Sequence, residues 1–532
     1  MKNLPALSQQ IFCNHPGAGL VQFMGMLKPL PAEKWNFTTA AHLLNRAGFG
    51  GTPDEIEQLA QMGPDEAVSY LVDYDKIPDP TPDPDWARPD PDRMEKLLAF
   101  RKMNQGLKGA SDEKRKESEE KRREMQREQR QTQQQHLLEL RGWWLERMVK
   151  GPRPLQEKLT LFWHGHFATS TQKVRDAYFM WLQNETFRRH AMGNWLQLLT
   201  AVAKEPAMLI WLDQAESRKE HPNENFAREV MELFALGEGH YTELDITEAA
   251  RALTGWSLNR VQQKFEYRSA IHDPGLKTVL GRSGNLTGND VLEQIVAQPQ
   301  AARFICAKLW SYFAAENPPE ELVSALADRF RQGKSHFRPL LETMFRSEEF
   351  YAPDVVRTQV KSPTQWLVGN VRMLERNLPP PMMTSNWLRQ LGQDLFAPPN
   401  VKGWDGGVAW ITTNNLLNRY NFAAVLVLGR NALPVVMAAA DRKEPANRMT
   451  ERLNRFNNRA APVDAGKLFP PESRKDHDTF IAALGKRFLQ SQMREKQATA
   501  IREYLENEGE LDDEVVLNSI RLVMSMPEFQ LT

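Results

Sequence analysis

The residues of this chain best placed to do chemistry are the acids, amides and histidines between His221 and Trp256 (HPNENFAREVMELFALGEGHYTELDITEAARALTGW). Read as a helix from about Glu224, Phe226, Val230, Leu233 and Phe234 form one apolar face. Asn225, Glu229 and Glu232, at i, i+4 and i+7, lie on the adjoining face, so three oxygen-bearing side chains converge beside buried surface. Such a set could ligate a metal, could supply a general base, or could anchor cations; Arg228 and Arg251 are then the expected partners. Thr242 and Asp245 read as a capping box opening the next helix, which accounts for Thr242 without chemistry.

A second group is WHGHF, Trp163 to Phe167. Two residues apart, His164 and His166 would diverge on a helix but share one side in an extended exit, which Gly165 permits. Two imidazoles beside carboxylates suit a divalent metal such as zinc, manganese or iron. Backbone-satisfied histidines at a helix C-terminus are the alternative. His272 to Lys277 (HDPGLK) sets a histidine beside an aspartate in a glycine-punctuated loop, either an oriented base or ordinary turn chemistry. Phe396 to Asn414 (FAPPNVKGWDGGVAWITTN) reads as a packed Ω-loop or as a rigid, aromatic-lined pocket wall. We expect the His164/His166 segment to approach the Asn225/Glu229/Glu232 face, with His272 as a third contributor, because buried polar clusters need partners. No G-x-S-x-G elbow, phosphate-binding Walker loop or H-E-x-x-H motif occurs.

The elements that must hold these groups are helical. Helical periodicity marks 38–47, 155–163, 176–189, 195–202, 224–236, 246–253, 290–297 and 301–313, and strand alternation is confined to a short hairpin between Phe265 and Thr287. Thr52 and Pro53 open another helix. Pro and Asp alternate over 77–92, giving an extended connector. From Asp112 to Gln135 the only apolar side chain is Met125, after which Leu137, Leu138, Leu140, Trp143, Trp144 and Met148 appear. One long helix over 112–148, exposed in its first half and entering the core in its second, is predicted. The fold class is therefore mainly α: an irregular segment over 1–37, a main helical domain over 38–430, and a helical extension over 431–532 that begins with a polar linker.

Lys and Arg total 68, and so do Asp and Glu, so no net field steers the 532-residue chain to nucleic acid or an anionic membrane. Cys13 and Cys306 form no C-x-x-C pair, which excludes a disulfide framework and a cysteine metal knuckle. No stretch has the apolar length of a membrane span, and the N-terminal thirty residues lack the pattern of a signal peptide. Cytoplasm is the default expectation, with export left open.

Six segments, HLLNRAGFG at His42, PLQEKLTLFWHGHFATS at Pro154, NENFAREVMELFALGEGHYTELD at Asn223, ARALTGW at Ala250, HDPGLKTVLG at His272 and LFAPPNVKGWDGG at Leu395, resemble in order the bacterial domain of unknown function 1800 family. The resemblance implies a largely helical protein often encoded beside a sulfatase-like one, and it supplies no catalytic residues. Many relatives look exported, whereas this start does not. Three readings follow: a metal-dependent enzyme, in the hydrolase class, with His164, His166, Asn225 and Glu229 as ligands and Glu229, Glu232 or His272 as acid–base groups; a noncatalytic scaffold for the sulfatase-like protein; and a module for an anionic polymer, against which the zero net charge counts.

Overall fold

The computed structural model of the chain describes residues 25–105, 111–432 and 461–532. Most of the expected segment 1–37 and of the polar linker after residue 445 lies outside them. Among the described residues the only sheets are two antiparallel hairpins, Trp256–Asn259 with Lys264–Tyr267, and Lys277–Val279 with Arg282–Gly284; everything else regular is helical. The single hairpin expected from Phe265 onward is thus two, the first starting at Trp256. Its buried Trp256–Ser257–Leu258 run lacks the polar alternation by which strands are recognised. No described helix is long and apolar enough to cross a membrane.

Helix starts follow the local chemistry. Thr52 caps Pro53–Met62 and Thr242 caps Glu243–Leu253, each in a reciprocal box with the acid three residues on. The long helix runs Asp112–Lys150; its side chains stay largely exposed through Gln135, and Leu140, Trp144, Leu145 and Met148 are buried. The proline-rich connector is strapped to it: Trp143 Nε1 donates to the Pro82 carbonyl at 2.8 Å, and Arg147 pairs with Asp79.

Two apolar cores form. Pro154–His166 lies at their seam, giving Leu155, Leu159, Phe162 and Trp163 to one and Leu161 to the other. The second core joins Leu140–Val149, the Pro363–Met373 and Thr413–Leu428 helices, and the C-terminal helices through Met524.

Glu205, just before the Pro206–Trp211 helix, is buried, accepts the Thr186 hydroxyl, and leaves Oε2 without a hydrogen bond. Desolvation pushes its pKa up from 4.5 to about 7. The folded state therefore holds the proton more tightly than the unfolded state, and the stability this gives at low pH is lost as pH rises from about 4.5 to about 7. Glu205→Gln keeps the acceptor for Thr186 and removes the charge. It is expected to raise stability at pH 8 by up to roughly 3 kcal/mol, with the gain shrinking towards pH 5, as urea denaturation at the two pH values would read out.

Candidate functional site

Pro154–His166 carries a dense buried polar network. Glu157, fully buried, accepts Trp144 Nε1 at 2.9 Å, Arg147 Nε at 2.9 Å and Arg188 at 2.8 and 3.0 Å. Burial alone would raise the Glu157 pKa, but Arg188 and Arg147 hold it below the ordinary carboxylate range. Arg188 Nη2 donates to Asn184 Oδ1 at 2.6 Å, which turns the Asn184 amide NH2 to His164 Nε2 at 3.0 Å. His164 Nε2 is thus an acceptor; desolvation and the Arg188 charge keep the ring neutral, and Trp144, Phe187 and Phe396 surround it.

The extended exit expected for WHGHF does not form. The helix continues through His166, so the two histidines point about 200° apart around its axis. Continuation is sterically favoured because the 396–412 loop closes directly on Gly165: a Cβ at Gly403 would stand 2.3 Å from the Gly165 carbonyl oxygen. His166 instead reaches the acid-rich block. Its Nε2 lies 2.9 Å from the Phe234 carbonyl, which can only accept, so Nε2 carries the proton and buried Nδ1 is an unpaired acceptor. Desolvation and the nearby Lys308 keep this ring neutral too.

That block is not one α-helix. Glu224–Glu229 is α-helical and Val230–Ala235 is a π-helix, with Leu236 N bonding Met231 O across five residues at 2.7 Å. The wider turn leaves carbonyls that side chains satisfy: Leu233 by Lys308 at 3.3 Å, Phe234 by His166, and Leu236 by Gln300 at 3.1 Å. Nor do the cations go where expected. Arg228 pairs with Glu243, and Arg251 with Asp273 and Glu248. Glu232 accepts the Tyr241 hydroxyl at 2.7 Å. Half-buried Glu229 has its pKa raised by desolvation and by Glu232, against Arg228 and Lys402, while Asn225 is exposed.

What these segments enclose is a cavity of about 500 Å³ between Pro154–His166, Pro299–Phe313 and the 396–412 loop. The loop acts as pocket wall through Trp404 and Trp410, opposite Phe162, Phe304 and Tyr312. Two lysines line it. Lys158, 4% exposed, is held only by the Asn45 carbonyl at 3.4 Å and lies over the Phe49 and Tyr312 rings at 5.1 and 5.8 Å. Desolvation and then Arg46 drive its pKa well down. Arg46 is itself buried against the carbonyls of Ala314 and Val355 and a main-chain oxygen of Thr532, its pKa lowered by burial to about 9. Lys308 lies 4.7 Å over the Phe304 ring, and burial lowers its pKa to about 8. Among the described residues neither lysine has a carboxylate within salt-bridge distance, their hydrogen bonds going to the Asn45 and Leu233 carbonyls; Glu316 and Asp405, at the lining, are exposed. A larger open cleft of about 680 Å³ holds the ion pairs Arg372–Glu55 and Lys467–Glu375, together with Arg376, which donates to the Leu426 carbonyl.

His166 is the sequence-predicted residue that joins this cavity. His164 lies behind it in the Glu157 network, and Asn225, Glu229, Glu232 and His272 are not among its lining residues. His272 Nδ1 donates to the Thr254 carbonyl at 2.8 Å, Asp273 binds Arg251, and Lys277 is clamped by the Asp273 and Gly275 carbonyls at 2.7 and 2.9 Å, so HDPGLK is turn chemistry. Among the described residues no group of three His, Cys, Asp or Glu side chains could hold a metal ion, and the donors expected to share one diverge. Sequence reasoning passed over Lys158 and Lys308. Their signal was a single lysine inside an apolar helical run, KLTLFW and ICAKLW, where an unpaired charge is costly.

Comparison with known proteins adds the following. The family model described as Protein of unknown function (DUF1800) matches residues 42–531. No curated protein and no solved structure matches.

Proposed function

The chain belongs to this family of unknown function, and from the cavity it builds we propose that it binds, and acts on, a small organic carboxylate with an apolar or aromatic body. The observation that carries the reading is a pair of lysines, buried Lys158 and half-buried Lys308, on an aromatic-walled cavity, neither of them within salt-bridge distance of a carboxylate of the described chain. Burying unpaired cations costs free energy, and an anionic ligand recovers it. Five aromatic side chains favour an apolar body, and a volume near 500 Å³ suits a small molecule.

Replacing Lys158 or Lys308 with methionine tests this. Each variant is expected to bind benzoate or phenylacetate roughly 10- to 100-fold more weakly, as tryptophan fluorescence titration would report, from loss of one charge-assisted contact. Lys158→Met is also expected to melt higher than wild type when empty, because it removes an amine whose burial costs free energy, whether as a desolvated charge or as a forced deprotonation. A lysine with a purely structural task would give the reverse, a less stable variant with unchanged binding.

The metal-dependent hydrolase reading has less support: Glu316 and Asp405 line the cavity with His166, but among the described residues no three His, Cys, Asp or Glu side chains are grouped so as to hold a metal ion. A second reading, docking of a partner such as a sulfatase-like protein, is supported by the exposed first half of the Asp112–Lys150 helix, which offers a charged, solvated surface away from the core. Deleting 112–135 would abolish partner capture on that reading and leave carboxylate binding intact.

A further inference from the structure

Resting on the carboxylate reading, we propose that Lys308 is a nucleophile and that the substrates are oxo acids, whose carbonyl carbon the Lys308 amine attacks to form an imine. The two lysines are not equivalent in place. Lys158 is enclosed, beside Arg46, under the rings of Phe49 and Tyr312. Lys308 stands four residues before Tyr312, so it projects from the same face of Pro299–Phe313 about 6 Å away along the axis, less enclosed and against the face of Phe304. A carboxylate held at Lys158 therefore presents the rest of the molecule towards Lys308. The titratable groups that line the same cavity are His166, Tyr312, Glu316, Asp405 and Lys158.

A lysine serves as an imine-forming nucleophile when its amine is free of carboxylate partners and desolvated, or beside another cation, so that the neutral form is populated near neutral pH. Lys308 meets these conditions: its one hydrogen bond is to the Leu233 carbonyl at 3.3 Å, and burial brings its pKa to about 8. His166 lines the same cavity, its ring kept neutral by desolvation and then by the Lys308 charge. The neutral amine adds its lone pair to the carbonyl carbon, and the C=O pair goes to oxygen. A proton passes from nitrogen to that oxygen, giving a carbinolamine. The hydroxyl then leaves with one further proton as water. Overall one lysine ammonium and one oxo acid give one protonated imine and one water, with no electrons exchanged and no co-reactant.

Full-length protein incubated with phenylpyruvate and sodium cyanoborohydride at pH 8 tests the step, with intact mass and peptide mapping as readout. The expected product is a single adduct, heavier by the oxo acid less one oxygen atom, on the peptide containing Lys308. Its rate of formation should rise with pH through about 8 and fall when benzoate competes. Lys308→Arg, which retains the charge and the cap on Leu233, should fold as wild type and form no adduct. Phenylpyruvate binding seen by tryptophan fluorescence without any Lys308 adduct would overturn the imine and leave the carboxylate site standing. Absence of binding by both phenylpyruvate and benzoate would overturn both, and adducts scattered over surface lysines equally in Lys308→Arg would also overturn the imine.

Discussion

Replacing Glu157 with alanine is expected to destabilise the protein by about 3–5 kcal/mol, the range for removing one partner of a buried ion pair. The carboxylate is 2% exposed and is shared by Arg147, Arg188 and the Trp144 indole. Without it Arg147 keeps Asp79 and Arg188 keeps Glu185, but both guanidinium groups lose the acceptor that holds them at the centre of three helices. The loss should also release the Arg188–Asn184–His164 chain. Glu157→Gln should cost less, because an amide oxygen still accepts one donor, although its NH2 then faces an arginine. Urea denaturation of both variants checks the ordering. A change below about 1 kcal/mol for alanine would mean that the network adds nothing beyond an exposed pair.

Gly403→Ala should be nearly as damaging, and specifically so for the cavity. The residue has φ +96°, and its added Cβ would meet the Gly165 carbonyl oxygen at 2.3 Å and its carbon at 3.2 Å. Both are backbone atoms, so no rotamer change relieves the contact and the 396–412 loop has to lift from the Pro154–His166 helix. Left-handed backbone in a residue with a Cβ and overpacking together cost about 2–4 kcal/mol. Because Trp404 follows directly, carboxylate binding should fall at least tenfold. Gly165→Ala is the internal control. Its Cβ would find only Trp404 Cε3, at an ordinary 3.8 Å, and alanine favours the helix, so this variant should bind and fold as wild type. Equal effects from the two substitutions would remove the loop from the account.

The helical class, the long helix and its exposed half were legible because periodicity and composition are local. So was the Thr242–Asp245 capping box, which needs only residues three apart. The arrangement of the site was legible only in part. That WHGHF meets the acid-rich block follows from two buried polar groups needing partners, but the contact is His166 to a main-chain carbonyl rather than to Glu229 or Glu232. The missing information is the π turn, whose freed carbonyls draw in His166 and Lys308 and whose apolar pattern in sequence does not differ from an α-helix. Long-range choices, such as Arg228 taking Glu243, depend on which helices pack together and leave no trace in spacing. Lys158 and Lys308 were readable in principle as lone charges in apolar runs, and only the fold brings them to one cavity.

The central claim, that this cavity takes a carboxylate onto uncompensated lysines, is tested most directly by proton linkage. With the cavity empty, burial holds Lys308 near a pKa of about 8 and Lys158 well below its ordinary value, so an arriving anion must raise both. Calorimetric titration with benzoate at pH 8, repeated in buffers of different ionisation enthalpy, should show net uptake of about half a proton or more, and affinity that falls as pH rises from 7 to 9.5. Uptake should drop in Lys308→Met. Benzoate that binds with no proton uptake and with the same affinity across that range, or does not bind at all, would contradict the account.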